Sequence, residues 1–354
     1  MHMASTIARS MAAAVLALLL AAVTLGGALA EAAGEAKADM VSSVSGERMM
    51  ATVDALAQFG TRVFYTSSSA DSSAYVHDRL ADLGLWVYYQ DLNVSDFAVR
   101  NVVAVLNGTD RDAPQTLFGA HYDSSGGNLW NFSVGGTVLA PGADDDASGV
   151  AAVIELATVL SGVHPKGTVK FVAFTAEEAG LNGSRYFAER ERAQGVAYSN
   201  TAILDMIGYR MESANEALIF QDYDANSLGD SMSKAVRDYS LDLSVTQVAG
   251  KEMTGSDHAS FWAAGYPSLL VIEAFSSRLP ENPYYHTSLD IPDYLSPDQM
   301  VEVTKMVLGG FLSLESAPSS SIPTTAVIII GAAVIATVAA GAILIIRRHR
   351  EWET

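Results

Sequence analysis

The sequence predicts an α/β protein: a three-layer sandwich whose central sheet is mixed but mostly parallel and flanked by helices, with one transmembrane helix added near the carboxyl terminus. Three observations lead there. Segments of helical period and strand-like runs interleave along the body of the chain. Several strand-like runs are short and continuously apolar, the pattern of strands covered on both faces. Near the end, residues 326–346 form an uncharged apolar stretch long enough to cross a bilayer as a helix.

Taken in order, residues 1–30 carry a single Arg (Arg9), an apolar run from Met11 to Leu25, and the ending Ala28-Leu29-Ala30. This is the form of a signal peptide with a small-x-small cleavage site. Residues 31–45 are small or polar without periodicity and predict a flexible leader. The body, 46–315, opens with helical patterns at 48–59 and 70–83, followed by strand-like runs at 86–92, 99–106 and 117–120. A helix is then expected over 149–160, a buried strand over 169–175, a helix over 184–192 and a strand over 201–206. Another strand at 269–273 and a helix at 297–314 close the body. Pro318, Pro323 and a serine run make 316–325 a stalk. After the apolar span come Arg347, Arg348, His349 and Arg350, so the tail 347–354 belongs on the cytoplasmic side. The expectation is a single-pass protein of the cell membrane with its folded domain outside.

Composition narrows the chemistry. The 354 residues contain no cysteine, which excludes disulfides, thiolate metal sites and a cysteine nucleophile. Any metal must sit on His, Asp and Glu. With 40 acidic against 21 basic residues the net charge is −19, and nucleic acid is excluded as a partner because it requires a basic surface. No Gly-x-Ser-x-Gly elbow occurs, which argues against serine hydrolase chemistry. Asn93, Asn107, Asn131 and Asn182 stand in Asn-x-Ser/Thr sequons; the last lies too close to the clusters described next to carry a glycan.

Five clusters carry potential ligands, each at or just beyond the end of a strand or in a loop, where ligands of such sheets collect. Gly119-Ala120-His121-Tyr122-Asp123 offers an imidazole, with a carboxylate two residues on that could accept its other ring N–H. Asp144-Asp145-Asp146 precedes an apolar helix. Three adjacent carboxylates repel one another; a helix terminus can stabilise one or two, a divalent cation neutralises them more completely, and one carboxylate can bridge two metals. Glu177-Glu178 ends a buried strand, and its diverging side chains allow one to bind metal while the other moves a proton. Asp205 follows Ala202-Ile203-Leu204, and Tyr284-Tyr285-His286-Thr287-Ser288-Leu289-Asp290 supplies a second histidine. Two imidazoles with several carboxylates are a ligand mixture suited to a pair of zinc ions.

Taken together and in this order, these motifs resemble the family of co-catalytic two-zinc aminopeptidases that includes the secreted bacterial leucine aminopeptidases. The resemblance spans the whole body. It implies two zinc ions per chain, His121 and Asp205 holding one, Glu178 and His286 the other, and Asp145 bridging both. It also implies Glu177 as general base, Asp123 as the residue orienting His121, and peptides with a free amino terminus as substrates. The run Ser256-Asp257-His258-Ala259-Ser260-Phe261 resembles a segment near the family's substrate pocket, with His258 in a structural or pocket-lining role. Two other readings use the same scaffold differently. A carboxypeptidase or dipeptidase would, for the former, need a cation for the substrate carboxylate, for which Arg185 is the nearby candidate; a glutaminyl cyclase works with one zinc. A reading of another class is a non-catalytic receptor or scaffold, which would be expected to have lost ligands.

Overall fold

The computed structural model describes residue 24 and residues 26–28, 30–125, 139–211, 214–222, 227–250, 253–273, 275–276, 279–280 and 282–315. The chain divides into two units. One joins residues 1–37 to 316–354, and its described residues, all between 24 and 37, are helical. The other, residues 38–315, contains the sheet. Residues 38–42, placed by sequence in a flexible leader, are helical as well; Val41 and Val44, spaced three apart, are buried in the core.

Eight strands form the sheet in the order β1-β2-β4-β3-β5-β8-β6-β7. They are β1 (Trp86–Val94), β2 (Phe97–Leu106), β3 (Gln115–His121), β4 (Val169–Phe174), β5 (Tyr198–Leu204), β6 (Glu216–Gln221), β7 (Ser244–Ala249) and β8 (Leu269–Ile272). The central strands β4, β3, β5 and β8 are mutually parallel, as are β6 and β7; β1 with β2, β2 with β4 and β6 with β8 run antiparallel. The mixed, mostly parallel sheet expected from the apolar runs is therefore present.

Period-two alternation sends successive residues to opposite faces. Phe118, Ala120, Ala202, Leu204, Leu269 and Val271 point into one core, and Leu117, Ile203, Leu270 and Ile272 into the other. The first core is covered by α1 (Gly46–Ala57), α2 (Ser67–Ala81), α3 (Gly149–Leu160), α5 (Ser227–Asp238) and α7 (Pro297–Leu314); the second is covered by α4 (Asn182–Ala193) and α6 (His258–Ala263). Thr66 and Ser296 start α2 and α7 by accepting the Ser69 and Gln299 N–H groups, the usual use of a hydroxyl at that position. The chain leaves β3, returns as β4 on one side of it and then as β5 on the other. That reversal opens a crevice beyond the carboxyl ends of these strands.

Between residues 207 and 268 the sequence reading missed β6, α5, β7 and α6. β7 alternates exposed and half-buried residues, and α5 carries only a narrow apolar stripe, so neither stands out as a run. The membrane-spanning helix, and with it the single-pass membrane location, is corrected. No helix among the described residues is long and apolar enough to cross a membrane. The longest of the labelled helices, α7, has 18 residues, about 27 Å at 1.5 Å each, and Asp298, Glu302 and Lys305 interrupt its apolar surface. The expected span 326–346, the stalk, the tail and nearly all of the expected signal peptide lie outside the described residues.

Candidate active site

All five ligand candidates and Glu177 converge on the crevice. His121 ends β3, Glu177 and Glu178 follow β4, Asp205 follows β5, Asp145 sits in the loop before α3, and His286 lies in the loop before α7. Asp145 occupies the centre. Its Oδ1 is 3.2 Å from His121 Nε2 and its Oδ2 is 3.0 Å from His286 Nε2. His121 Nε2 also lies 3.6 Å from Asp205 Oδ1, and His286 Nε2 lies 3.0 Å from Glu178 Oε2.

The donor atoms fall into two groups able to hold a metal ion, His121 with Glu177 and Asp205, and Asp145 with Glu178 and His286; within each they lie within 4.8 Å of one another. Glu178 Oε1 is buried without a hydrogen-bond partner. Nitrogen and carboxylate oxygen donors at this spacing, with an orphaned buried oxygen among them, fit zinc.

Electrostatics point the same way. Burial opposes charge on His121, yet the carboxylates of Glu177, Asp145 and Asp205 outweigh it and hold its pKa well above the usual value. His286 behaves alike: burial lowers it, hydrogen bonds with Asp145 and Glu178 prevail, and it is pushed up to about 10. Burial, with Asp145 adding repulsion, pushes Glu178 up to about 8. Burial also raises Glu177 well above the carboxylate range; His121 counters this, while Glu178, Asp257 and Asp205 reinforce it. Asp145 is the exception, held low against burial by its bonds to both histidines. Carboxylates that resist ionisation around imidazoles that attract protons form a cage that a divalent cation satisfies.

The outer aspartates of the triple have a different role from the middle one. Asp146 accepts the main-chain N–H groups of His121 (3.0 Å), Gly149 (2.9 Å) and Met206 (3.2 Å), joining the ends of β3, α3 and β5. Asp144 accepts Gly208 N–H at 2.9 Å, and Ser148 Oγ accepts Ile207 N–H at 3.0 Å. Three successive amides after Asp205 are thus captured by alternate residues of one loop. The fit is close: a Cβ at Gly149 would lie 2.3 Å from Leu204 O and 2.4 Å from Asp146 Oδ1. Ala176, Met206 and His286, at or beside Glu177 and the ligand candidates, all hold positive φ (53°, 55° and 57°), the kind of local strain a surrounding network sustains at functional sites.

Asp123 does more than expected. Its carboxylate lies 3.7 Å from His121 Nδ1, whereas its carbonyl oxygen is nearer, at 3.2 Å. The carboxylate accepts the N–H groups of Glu177 (3.1 Å) and Glu178 (3.3 Å), so this residue fixes the β4 loop as well as the imidazole. Arg62, missed in the sequence as an isolated cation, is fully buried and donates to the carbonyls of Tyr122 (2.8 Å), Gly142 (2.8 Å), Leu56 (3.2 Å) and Pro141. Burial lowers it to about 10, against the pull of Asp290, Asp123, Asp145 and Asp146.

His258 is fully buried, its Nε2 donating to Met253 O at 2.9 Å, and burial lowers it to about 4; it supports the wall of the site as a neutral ring. Arg185 bonds Asn182 Oδ1 at the surface, and the Asn182 amide donates to Ala179 O at 2.9 Å, so that sequon's side chain is committed to the turn after Glu178. The ligand candidates and Glu177 themselves line a cavity of about 200 Å³, together with Met206, Met253, Leu270, Ile272 and Tyr285 among others.

Residues 101–310 match the model of peptidase family M28. The chain belongs to that family. Leucine aminopeptidase 1 of Fusarium vanettenii is 29% identical over 289 residues, covering 77% of this chain and 71% of that protein. Among solved structures, the LapA aminopeptidase of Legionella pneumophila is similar with a TM-score of 0.68 at 23% identity, covering 80% of this chain and 75% of that one. BSAP, a zinc aminopeptidase from Bacillus subtilis, gives 0.65 at 17% identity, covering 78% and 97%. The M28 member described here is a metallo-aminopeptidase, as the motifs implied: a zinc-dependent hydrolase that removes amino-terminal residues.

Proposed function

We propose that the chain works with two zinc ions, bridged by Asp145, on peptides with a free amino terminus. The observation that carries this reading is the placement of the two Asp145 oxygens, one against each imidazole. His121, Asp205 and Asp145 would hold one ion; Glu178, His286 and Asp145 would hold the other. Three protein donors per ion leave a position open, as catalytic zinc requires. Bound there, zinc supplies a Lewis acid that polarises the peptide carbonyl and acidifies water.

Glu177 is then the residue left to move protons. It receives one from the attacking water and delivers it to the departing amine, and its raised affinity for protons suits that exchange near neutrality. Asp123 holds its main chain in place for the transfer. The apolar part of the cavity, formed by Met206, Met253, Leu270, Ile272 and Tyr285, accepts one aliphatic or aromatic side chain of the substrate's first residue. No Lys or Arg is among the described residues lining it, which supports recognition of an ammonium group over a carboxylate and disfavours a carboxypeptidase.

Matched aminoacyl and amino-blocked peptides, assayed with the zinc-loaded protein alongside metal analysis, test the proposal. Cleavage confined to free amino termini with two zincs per chain is expected. Cleavage of blocked peptides alone, or one zinc at full activity, refutes it.

A further inference from the structure

The two imidazoles are positioned by different means. His121 belongs to β3, and its main-chain N–H is held by Asp146. His286 lies on a loop, with its side chain 29% exposed, far more open than His121 at 1%.

That loop is fastened to the bridging aspartate from behind. Asp290, four residues after His286 and 3% exposed, accepts Asp144 N–H through Oδ1 at 2.9 Å and Asp145 N–H through Oδ2 at 3.0 Å. Its own carbonyl accepts Ala143 N–H at 3.1 Å. A second strap runs alongside: Asn282 donates to Asp144 Oδ2 at 2.6 Å and accepts Tyr284 N–H at 2.9 Å. Residues 143–145 therefore hang from the same loop that presents His286. With both carboxylate oxygens engaged, Asp290 cannot shift without moving the Asp145 main chain.

We infer that Asp290 is a positioning residue for the metal site shared by Asp145, Glu178 and His286, setting the separation between the bridging carboxylate and the exposed imidazole. The inference rests on the two-metal reading. It predicts an asymmetric effect: the first ion keeps His121 and Asp205, anchored through Asp146 and the sheet, and shares only Asp145 with the clasp, whereas the second depends on Asp290 for both Asp145 and His286.

The test is a cobalt(II) titration of the metal-free full chain followed by visible absorption, comparing the wild type with Asp290→Asn and with His286→Ala, which identifies the phase belonging to the second site. Asp290→Asn should leave the first phase within about threefold of wild type and weaken the second about 10- to 100-fold, the usual consequence of losing a partner behind a ligand. Excess metal should then restore the second absorption band. Two unchanged phases, or equal weakening of both, overturn the inference while leaving the two-metal reading intact. A single phase in the wild type overturns that reading and the inference with it. Should Asp290→Asn fail to fold, as judged by circular dichroism, Asn282→Ala cuts the other strap: a weakened second phase supports the clasp and an unchanged one overturns it.

Discussion

Replacing Glu177 by Gln separates the proton carrier from the ligand cage, and it should move activity and stability in opposite directions. The two side chains are nearly isosteric, the Glu177 main chain stays fixed by Asp123, and no proposed ligand is removed. A general base contributes about 10²- to 10⁴-fold, or roughly 3 to 5 kcal/mol of transition-state stabilisation, so turnover should fall by that factor with both zincs retained. Stability follows from the charge. Burial, with repulsion from Glu178, Asp257 and Asp205, raises the folded-state pKa of Glu177 despite His121. A carboxyl with a raised folded pKa takes up more protons folded than unfolded, so the fold loses stability as pH rises above the ordinary glutamate pKa and the group is forced to ionise. Glutamine never ionises. The metal-free variant should therefore melt higher than the metal-free parent at pH 8, measured by calorimetry beside steady-state kinetics and zinc analysis. Full turnover would refute the assignment of the base, and a lower melting temperature would refute the electrostatic reasoning.

Asp145→Ala removes the carboxylate whose two oxygens face the two imidazoles and should empty the cage; metal analysis that still finds two zincs per chain contradicts the bridge. The metal-free protein should lose stability steadily from about pH 5 to pH 10. His286, raised to about 10, contributes stability that is complete below its ordinary pKa and vanishes as pH passes 10, and Glu178, raised to about 8, ionises at a cost above its ordinary pKa, so both slopes have one sign. Zinc, by displacing those protons, should flatten the curve; a metal-free melting temperature that rises over this range refutes the argument. Arg62→Ala strands four buried carbonyls and a group of carboxylates, and urea unfolding should show a loss of about 3 to 5 kcal/mol, with a loss under 1 kcal/mol counting against the role given to this residue.

Much of the candidate site is legible in the sequence because several ligand candidates mark strand ends. A continuous apolar run ending at or just before His121, Glu177-Glu178 or Asp205 signals both a buried strand and the end at which it stops. Asp205 and His286 are uninformative singly, the triple Asp144-Asp145-Asp146 is hard to explain by capping alone, and the set as a whole persuades only jointly. The region 207–268 was poorly legible because its strands and helices carry mixed polarity, and their assignment depends on what packs against them.

The sequence by itself determined the alternation of helix and strand, the exclusion of thiolate chemistry, and the set of residues from which a metal cage could be drawn. Tertiary structure decided the rest. Strand order 4-3-5 brings together carboxylates separated by dozens of residues, and it gives the three adjacent aspartates different tasks: Asp145 faces the imidazoles, while Asp144 and Asp146 turn back to capture amides. It also assigns Arg62 to buried carbonyls and Asp290 to the Asp144 and Asp145 amides. Local pattern records which side of an element is buried, whereas the partner of a buried polar group is set by which other element lies against it, and no sequence window contains that contact.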